Sequence, residues 1–166
     1  MDDIIDLATR VGRALQAKGL LLVTAESCTG GGVAQAVTEI AGSSEWFDSG
    51  FITYSNASKS ELLDVSPAVI AQFGTVSEEV AAAMAEGALA NSNGHVSLST
   101  TGIAGPGGAV PGKPVGTVCF AWSIERNTHI ERTQTERLVF SGDRQAVRQQ
   151  TVVHALKGLL RFLDQS

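Results

Sequence analysis

Basic residues are scarce in this chain: 12 Lys and Arg stand against 17 Asp and Glu over 166 residues, for a formal charge of -5. Without a basic stripe there is little to neutralise a phosphate backbone, which argues against nucleic acid as a partner. Long apolar runs are missing too. None approaches the roughly 20 residues that span a bilayer, so no membrane partner is expected. The first residues, Met1-Asp2-Asp3, are acidic where an export signal is basic, and the expected location is cytoplasmic. Only two cysteines occur, Cys28 and Cys119, and in such a chain they read as reduced thiols and not as a disulfide framework. The same context discounts Asn56-Ala57-Ser58 as a glycosylation sequon. The histidines His95, His129 and His154 are scattered with no second ligand at metal spacing, so no metal site is visible.

What is present is a 43% hydrophobic content, enough for one domain over residues 1–166 to bury a substantial core. Ile4, Leu7, Ala8, Val11 and Leu15 recur at helical spacing, and Lys18-Gly19 ends that helix. A buried strand is expected over Leu20 to Thr24, a helix over Gly31 to Ile40, and a strand within Trp46 to Tyr54. Short helices carry Lys59 to Leu63 and begin at Pro67. Ser77 is an N-cap, with Glu78 and Glu79 in the first turn of an alanine-rich helix reaching Asn91. His95 to Thr101 alternates as a strand. Residues 105–116 hold three of the four prolines and five glycines, the composition of a loop. Val115 to Ile124 and Thr128 to Phe140 then read as a hairpin, the second strand more solvated, before a final helix from Gly142 that buries Val152, Leu156, Leu159, Leu160 and Leu163. Helices alternating with strands, then a hairpin and a helix, give a three-layer α/β/α sandwich around a mixed sheet.

Chemistry concentrates in three segments. Ala25-Glu26-Ser27-Cys28-Thr29-Gly30-Gly31-Gly32 lies on a strand-to-helix turn, where hydroxyls and free backbone N–H groups at a helix start favour an anion or a developing oxyanion. Ser27 reads as either an N-cap or a nucleophile, and the open glycines favour the nucleophile. A serine hydroxyl needs a base. Lys59 in Tyr54-Ser55-Asn56-Ala57-Ser58-Lys59 is the candidate, because a cation in the first turn of a helix is disfavoured and its pKa should fall. The bland alternative is a solvated surface lysine. Thr101-Gly102-Ile103-Ala104-Gly105-Pro106-Gly107-Gly108 stands where a strand meets a glycine-rich loop, an edge where open sheets hold ligands. Cys28 is a rival nucleophile, although a small packed thiol suits it better. Asn56 reads as a helix cap or a ligand contact, and Arg144 as a surface ion pair or a phosphate contact. Two near misses carry no weight: Gly107 to Lys113 lacks the Ser or Thr of a P-loop, Pro114 standing in its place, and the Ser27 turn lacks the glycines of G-x-S-x-G.

The three segments, in order and followed by Lys113-Pro114-Val115-Gly116-Thr117-Val118, resemble the CinA C-terminal-domain family, which includes stand-alone nicotinamide-nucleotide amidohydrolases. The resemblance runs from about Thr24 to Val118. It implies a five-stranded sheet with one strand antiparallel to the rest, and deamidation of nicotinamide mononucleotide (NMN) without a metal or organic cofactor. It makes Ser27 the nucleophile and joins Tyr54 to Ser27 and Lys59 as a catalytic group, relaying a proton or orienting Lys59. Thr29, Gly30, Gly31, Asn56, Thr101, Gly102 and Arg144 form the candidate substrate-binding set, with glycines 30–32 and Arg144 as the candidates for the phosphate anchor. Two other readings stand beside this one: an inactive nucleotide-binding regulatory module, and an amidohydrolase of another small amide. Exposed strand edges allow a homodimer.

Overall fold

The computed structural model describes residues 3–165, so Met1 and the acidic Asp2 lie outside the described residues. Helix α1 (Ile4–Lys18) buries Leu7, Ala8, Val11 and Leu15; the Asp3 carboxylate caps its start by accepting from Ile5 N, and Gly19 stops it in the left-handed conformation. Leu20 N then donates to Leu15 O, and Leu21 N to His95 Nδ1. Both residues are spent on leaving the helix. Strand β1 is therefore Leu22–Glu26, two residues later than the apolar run suggests, and its end carries polar side chains that the run does not announce.

The chain continues through α2 (Gly32–Thr38), a 3-10 turn at Ser43–Glu45, β2 (Phe47–Ile52), α3 (Asn56–Leu63), α4 (Pro67–Phe73), α5 (Glu78–Ala90), β3 (Val96–Gly102), β4 (Thr117–Arg126), β5 (His129–Val139) and α6 (Arg144–Asp164). Sheet order is β2-β1-β3-β4-β5. β1 runs parallel to β2 and β3, whereas β4 is antiparallel to both β3 and β5, so one strand opposes four. The expected mixed sheet is present. Helices cover both faces, and side-chain alternation along β4 shows how. Val118, Phe120, Trp122 and Ile124 enter the core shared with α1, α2 and α6, while Cys119 and Ala121 meet Ala81 and Ala85 of α5. On that second face Leu63 of α3 and Met84 of α5 pack with Val23 and Ala25 of β1.

Boundaries shift where loops take residues from elements. Gly116 N donates to Ile103 O at a positive φ, which delays β4 until Thr117. The hairpin turn is the pair Asn127 and Thr128, both at positive φ, as a type I′ turn requires. β5 is the more solvated strand, as expected. α6 starts at Arg144 because the Asp143 side chain caps it, accepting from Ala146 N at 2.9 Å. The carboxyl ends of β1, β2 and β3 share one edge of the sheet, with the loops after them above it.

Close approach of α5 to α3 rests on Gly87. A Cβ there would lie 1.8 Å from Leu63 O, the backbone at the end of α3. Gly87→Ala is expected to push α3 outward and cost about 1–3 kcal/mol of stability, as overpacking does. A thermal melt showing an unchanged Tm would contradict this packing account.

Candidate functional site

Ser27 follows directly on β1, and its N–H donates to Thr100 O at 3.0 Å, extending the ladder with β3 by one residue. The chain then reverses: Gly30 N donates to Ser27 O and Gly32 N to Thr29 O, both at 3.0 Å. Gly31 sits at φ 100, where a Cβ would also crowd Ile52 Cδ1 at 3.0 Å. This turn leaves Ser27 only 7% exposed, at the wall of a cleft of about 300 Å³. Cys28, Tyr54, Thr75, Thr101, Gly102 and Arg144 line the same cleft, with the glycine-rich loop at Gly105, Gly107 and Gly108 closing one side.

The start of α2 is not the open anion site that the glycines suggest. Glu26, fully buried, accepts from Val33 N at 2.9 Å, Ala34 N at 3.0 Å and Thr29 Oγ1 at 2.6 Å. With Gly30 and Gly32 donating inside the turn, the N–H groups of the helix start are committed and a negative charge already occupies it. A second anion would meet repulsion there. This weighs against glycines 30–32 as a phosphate anchor, while Thr29 spends its hydroxyl on Glu26 and Thr100. Ser27 is not the cap of α2 either; Gly31 holds that position, with no side-chain cap.

Lys59 enters from α3 and is 0% exposed. Its Nζ lies 2.7 Å from Thr53 O, 3.1 Å from Tyr54 O and 3.0 Å from Ser27 Oγ. Those are its three partners. As an amine it keeps two N–H groups on the carbonyls and turns its lone pair to the Ser27 hydroxyl. Burial disfavours the ammonium and pulls the lysine from its ordinary 10.5 down to about 8. The direction matches the sequence reading, but desolvation is the cause and not the helix start.

Around this pair the remaining residues separate. Thr101 Oγ1 donates to Thr75 O at 2.9 Å, holding the α4–α5 loop against the cleft, and Gly102 leaves room for Cys28 Sγ, which would be 3.1 Å from a Cβ. Cys28 is 5% exposed, and burial pushes its thiol up to about 12, which suits a packed thiol and not a nucleophile. Tyr54 meets Lys59 through its backbone carbonyl; its phenol accepts instead from Arg144 Nη2 at 3.0 Å. Arg144 also donates to Gly105 O at 2.8 Å. Asn56 is placed elsewhere: Ser55 caps α3, and Asn56 Oδ1 accepts from Thr75 Oγ1 beside a separate cavity between α3 and α4.

Three contributors escaped the sequence reading. Thr75 joins the cleft only through tertiary folding. Arg148 donates to Cys28 O at 3.1 Å and stands one helical turn beyond Arg144, a spacing that could have flagged it. Glu26, a carboxylate just ahead of a helix start, also carried a readable signal. Among the described residues no group of three or more His, Cys, Asp or Glu could hold a metal ion, and no helix is long and apolar enough to cross a membrane.

Fold and site together define a three-layer α/β protein with a small-molecule cleft at the carboxyl edge of its sheet, around a serine bonded to a buried lysine. The chain belongs to the CinA C-terminal domain family, whose profile matches residues 4–163. It is 49% identical over 162 residues to a Pseudomonas putida protein named nicotinamide-nucleotide amidohydrolase PncC, covering 98% of both chains. The protein of that name from Escherichia coli K12 is 48% identical over 157 residues, covering 95% of this chain and 93% of its own. A crystal structure of a CinA superfamily protein from Klebsiella pneumoniae superposes with a TM-score of 0.93 at 36% identity, covering 99% of this chain and all of the other.

Glu26→Ala would leave the Val33 and Ala34 N–H groups at the helix start without an acceptor, while the Thr29 hydroxyl could still donate to Thr100. A stability loss of roughly 3 kcal/mol or more is expected in urea denaturation. A variant as stable as the parent would show that water replaces the carboxylate.

Proposed function

We propose that this chain hydrolyses the carboxamide of NMN to nicotinate mononucleotide and ammonia, with Ser27 as nucleophile and Lys59 as its base. That it is an amidohydrolase follows from relatives half identical to it along nearly its whole length. One observation carries the mechanism: the 3.0 Å contact between Lys59 Nζ and Ser27 Oγ, with the other two Nζ partners supplied by backbone carbonyls.

The neutral Lys59 amine takes the Ser27 hydroxyl proton as Oγ bonds to the carboxamide carbon. Collapse of the tetrahedral adduct breaks the C–N bond, and the proton held on Lys59 passes to the leaving nitrogen, which departs as ammonia. Water then adds to the ester carbon, giving up a proton to Lys59, which returns it to Ser27 Oγ as the carboxylic acid is released. The nucleotide's phosphate needs a cation, and among the described residues Arg144 is the one charged side chain in the cleft lining. The helix start, closed by Glu26, leaves Arg144 the better anchor. On this reading the reaction belongs to the salvage of pyridine nucleotides.

Ammonia release from NMN tests the reading directly, and its absence would favour an inactive binding module or another amide as substrate. Ser27→Ala should abolish turnover with the fold intact, whereas Cys28→Ala should retain most of it. For Lys59 the neutral form is the active one, so kcat/KM should rise with pH through about 8 and level above it. Lys59→Arg should be nearly inactive, because arginine keeps the charge but cannot surrender a proton. Recovery of activity in Lys59→Arg relative to Lys59→Ala would reduce Lys59 to electrostatic support. A chelator should leave the rate unchanged, and a loss restored by a divalent ion would overturn the metal-free scheme.

A further inference from the structure

The family resemblance makes Tyr54 a catalytic group, yet its phenol is paired with Arg144 and not with Lys59. Lys59 holds the Tyr54 carbonyl, which any side chain at this position would supply, while the phenol oxygen accepts from Arg144 Nη2. Tyr54 as a residue is also 62% exposed, and it lines the cleft. We propose that Tyr54 is a positioning residue that fixes the Arg144 guanidinium for the 5'-phosphate of the substrate, and so selects the nucleotide over its phosphate-free form. The inference rests on the nucleotide reading above.

Geometry supplies the argument. Arg144 begins α6 and is itself exposed, so a long side chain there would sample many rotamers if nothing held it. Two contacts from different parts of the fold hold it: Gly105 O on the glycine-rich loop, through Nη1, and the Tyr54 phenol beyond β2, through Nη2. Each uses one N–H. A guanidinium has five, so three remain, enough for a bidentate phosphate contact. Because the phenol accepts from arginine, its own hydrogen stays free to donate to a phosphate oxygen. Tyr54 and Arg144 thereby form one anion-reading unit at the mouth of the cleft, with Ser27 and Lys59 deeper in.

The test compares wild type with Tyr54→Phe, Arg144→Ala and the double variant. Tyr54→Phe removes only the hydroxyl and leaves the carbonyl on Lys59. Binding of ribose 5-phosphate, measured by calorimetry, should weaken about tenfold in Tyr54→Phe and more in Arg144→Ala, with the double variant no weaker than Arg144→Ala alone. In turnover, Tyr54→Phe should raise KM for NMN by the same factor, with kcat and the pH limb near 8 held. The ratio of kcat/KM for NMN to that for nicotinamide riboside should fall about tenfold. A fall in kcat on both substrates, or a displaced pH limb, would return Tyr54 to proton transfer and overturn the proposal, as would unchanged ribose 5-phosphate binding. If the wild type releases no ammonia from NMN, the proposed function fails, and the calorimetric arm still decides the Tyr54–Arg144 unit.

Discussion

The buried amine of Lys59 is the constraint around which the site is arranged. A lysine without solvent contact is costly unless its N–H groups find acceptors, and backbone carbonyls at the end of β2 provide two. Those carbonyls are uncharged, so they orient the nitrogen without the large upward pKa pull of a carboxylate partner. The position of α3 follows from this need. Its start is fixed by the Ser55 cap and its end by the tight seat against Gly87, which together deliver the side chain to Ser27.

Glu26 completes that electrostatic arrangement by what it does not touch. Its carboxylate is saturated by two N–H groups and a hydroxyl on the opposite flank of Ser27, so it is not spent on Lys59. Two buried ionisable groups thus flank the serine, each with its own partners. An ion pair between them would have stabilised the ammonium form of Lys59. The helix start, so often an anion site, is here a structural clamp on the turn that presents Ser27.

Local patterns were legible in the sequence and convergence was not. Spacing of Leu7, Val11 and Leu15 announced α1, Ser77 announced the cap of α5, and the glycine turn drew attention to Ser27. The pairing of Ser27 with Lys59 was reachable because both fall in motifs that point at function. What failed was reading a role from one element alone: Asn56 looked like a cap and Ser55 is the cap, and glycines 30–32 looked open until Glu26 filled them from the preceding strand. The edge of β1 was misplaced because polar residues at the end of a buried strand break the apolar signal. Thr75 reaches the site only through contacts across many residues of chain, which no local window contains.

The order of the sheet puts the hairpin turn Asn127–Thr128 far from the chemistry. β4 starts at Thr117, beside the carboxyl end of β3, and runs the other way, so the turn emerges at the opposite end of the sheet from Ser27. It is exposed, short and outside every contact that sets Lys59, Glu26 or Arg144. Loop tips of this kind accept insertions. A surface tether or reporter domain grafted there would hold the protein with its cleft facing away from the support.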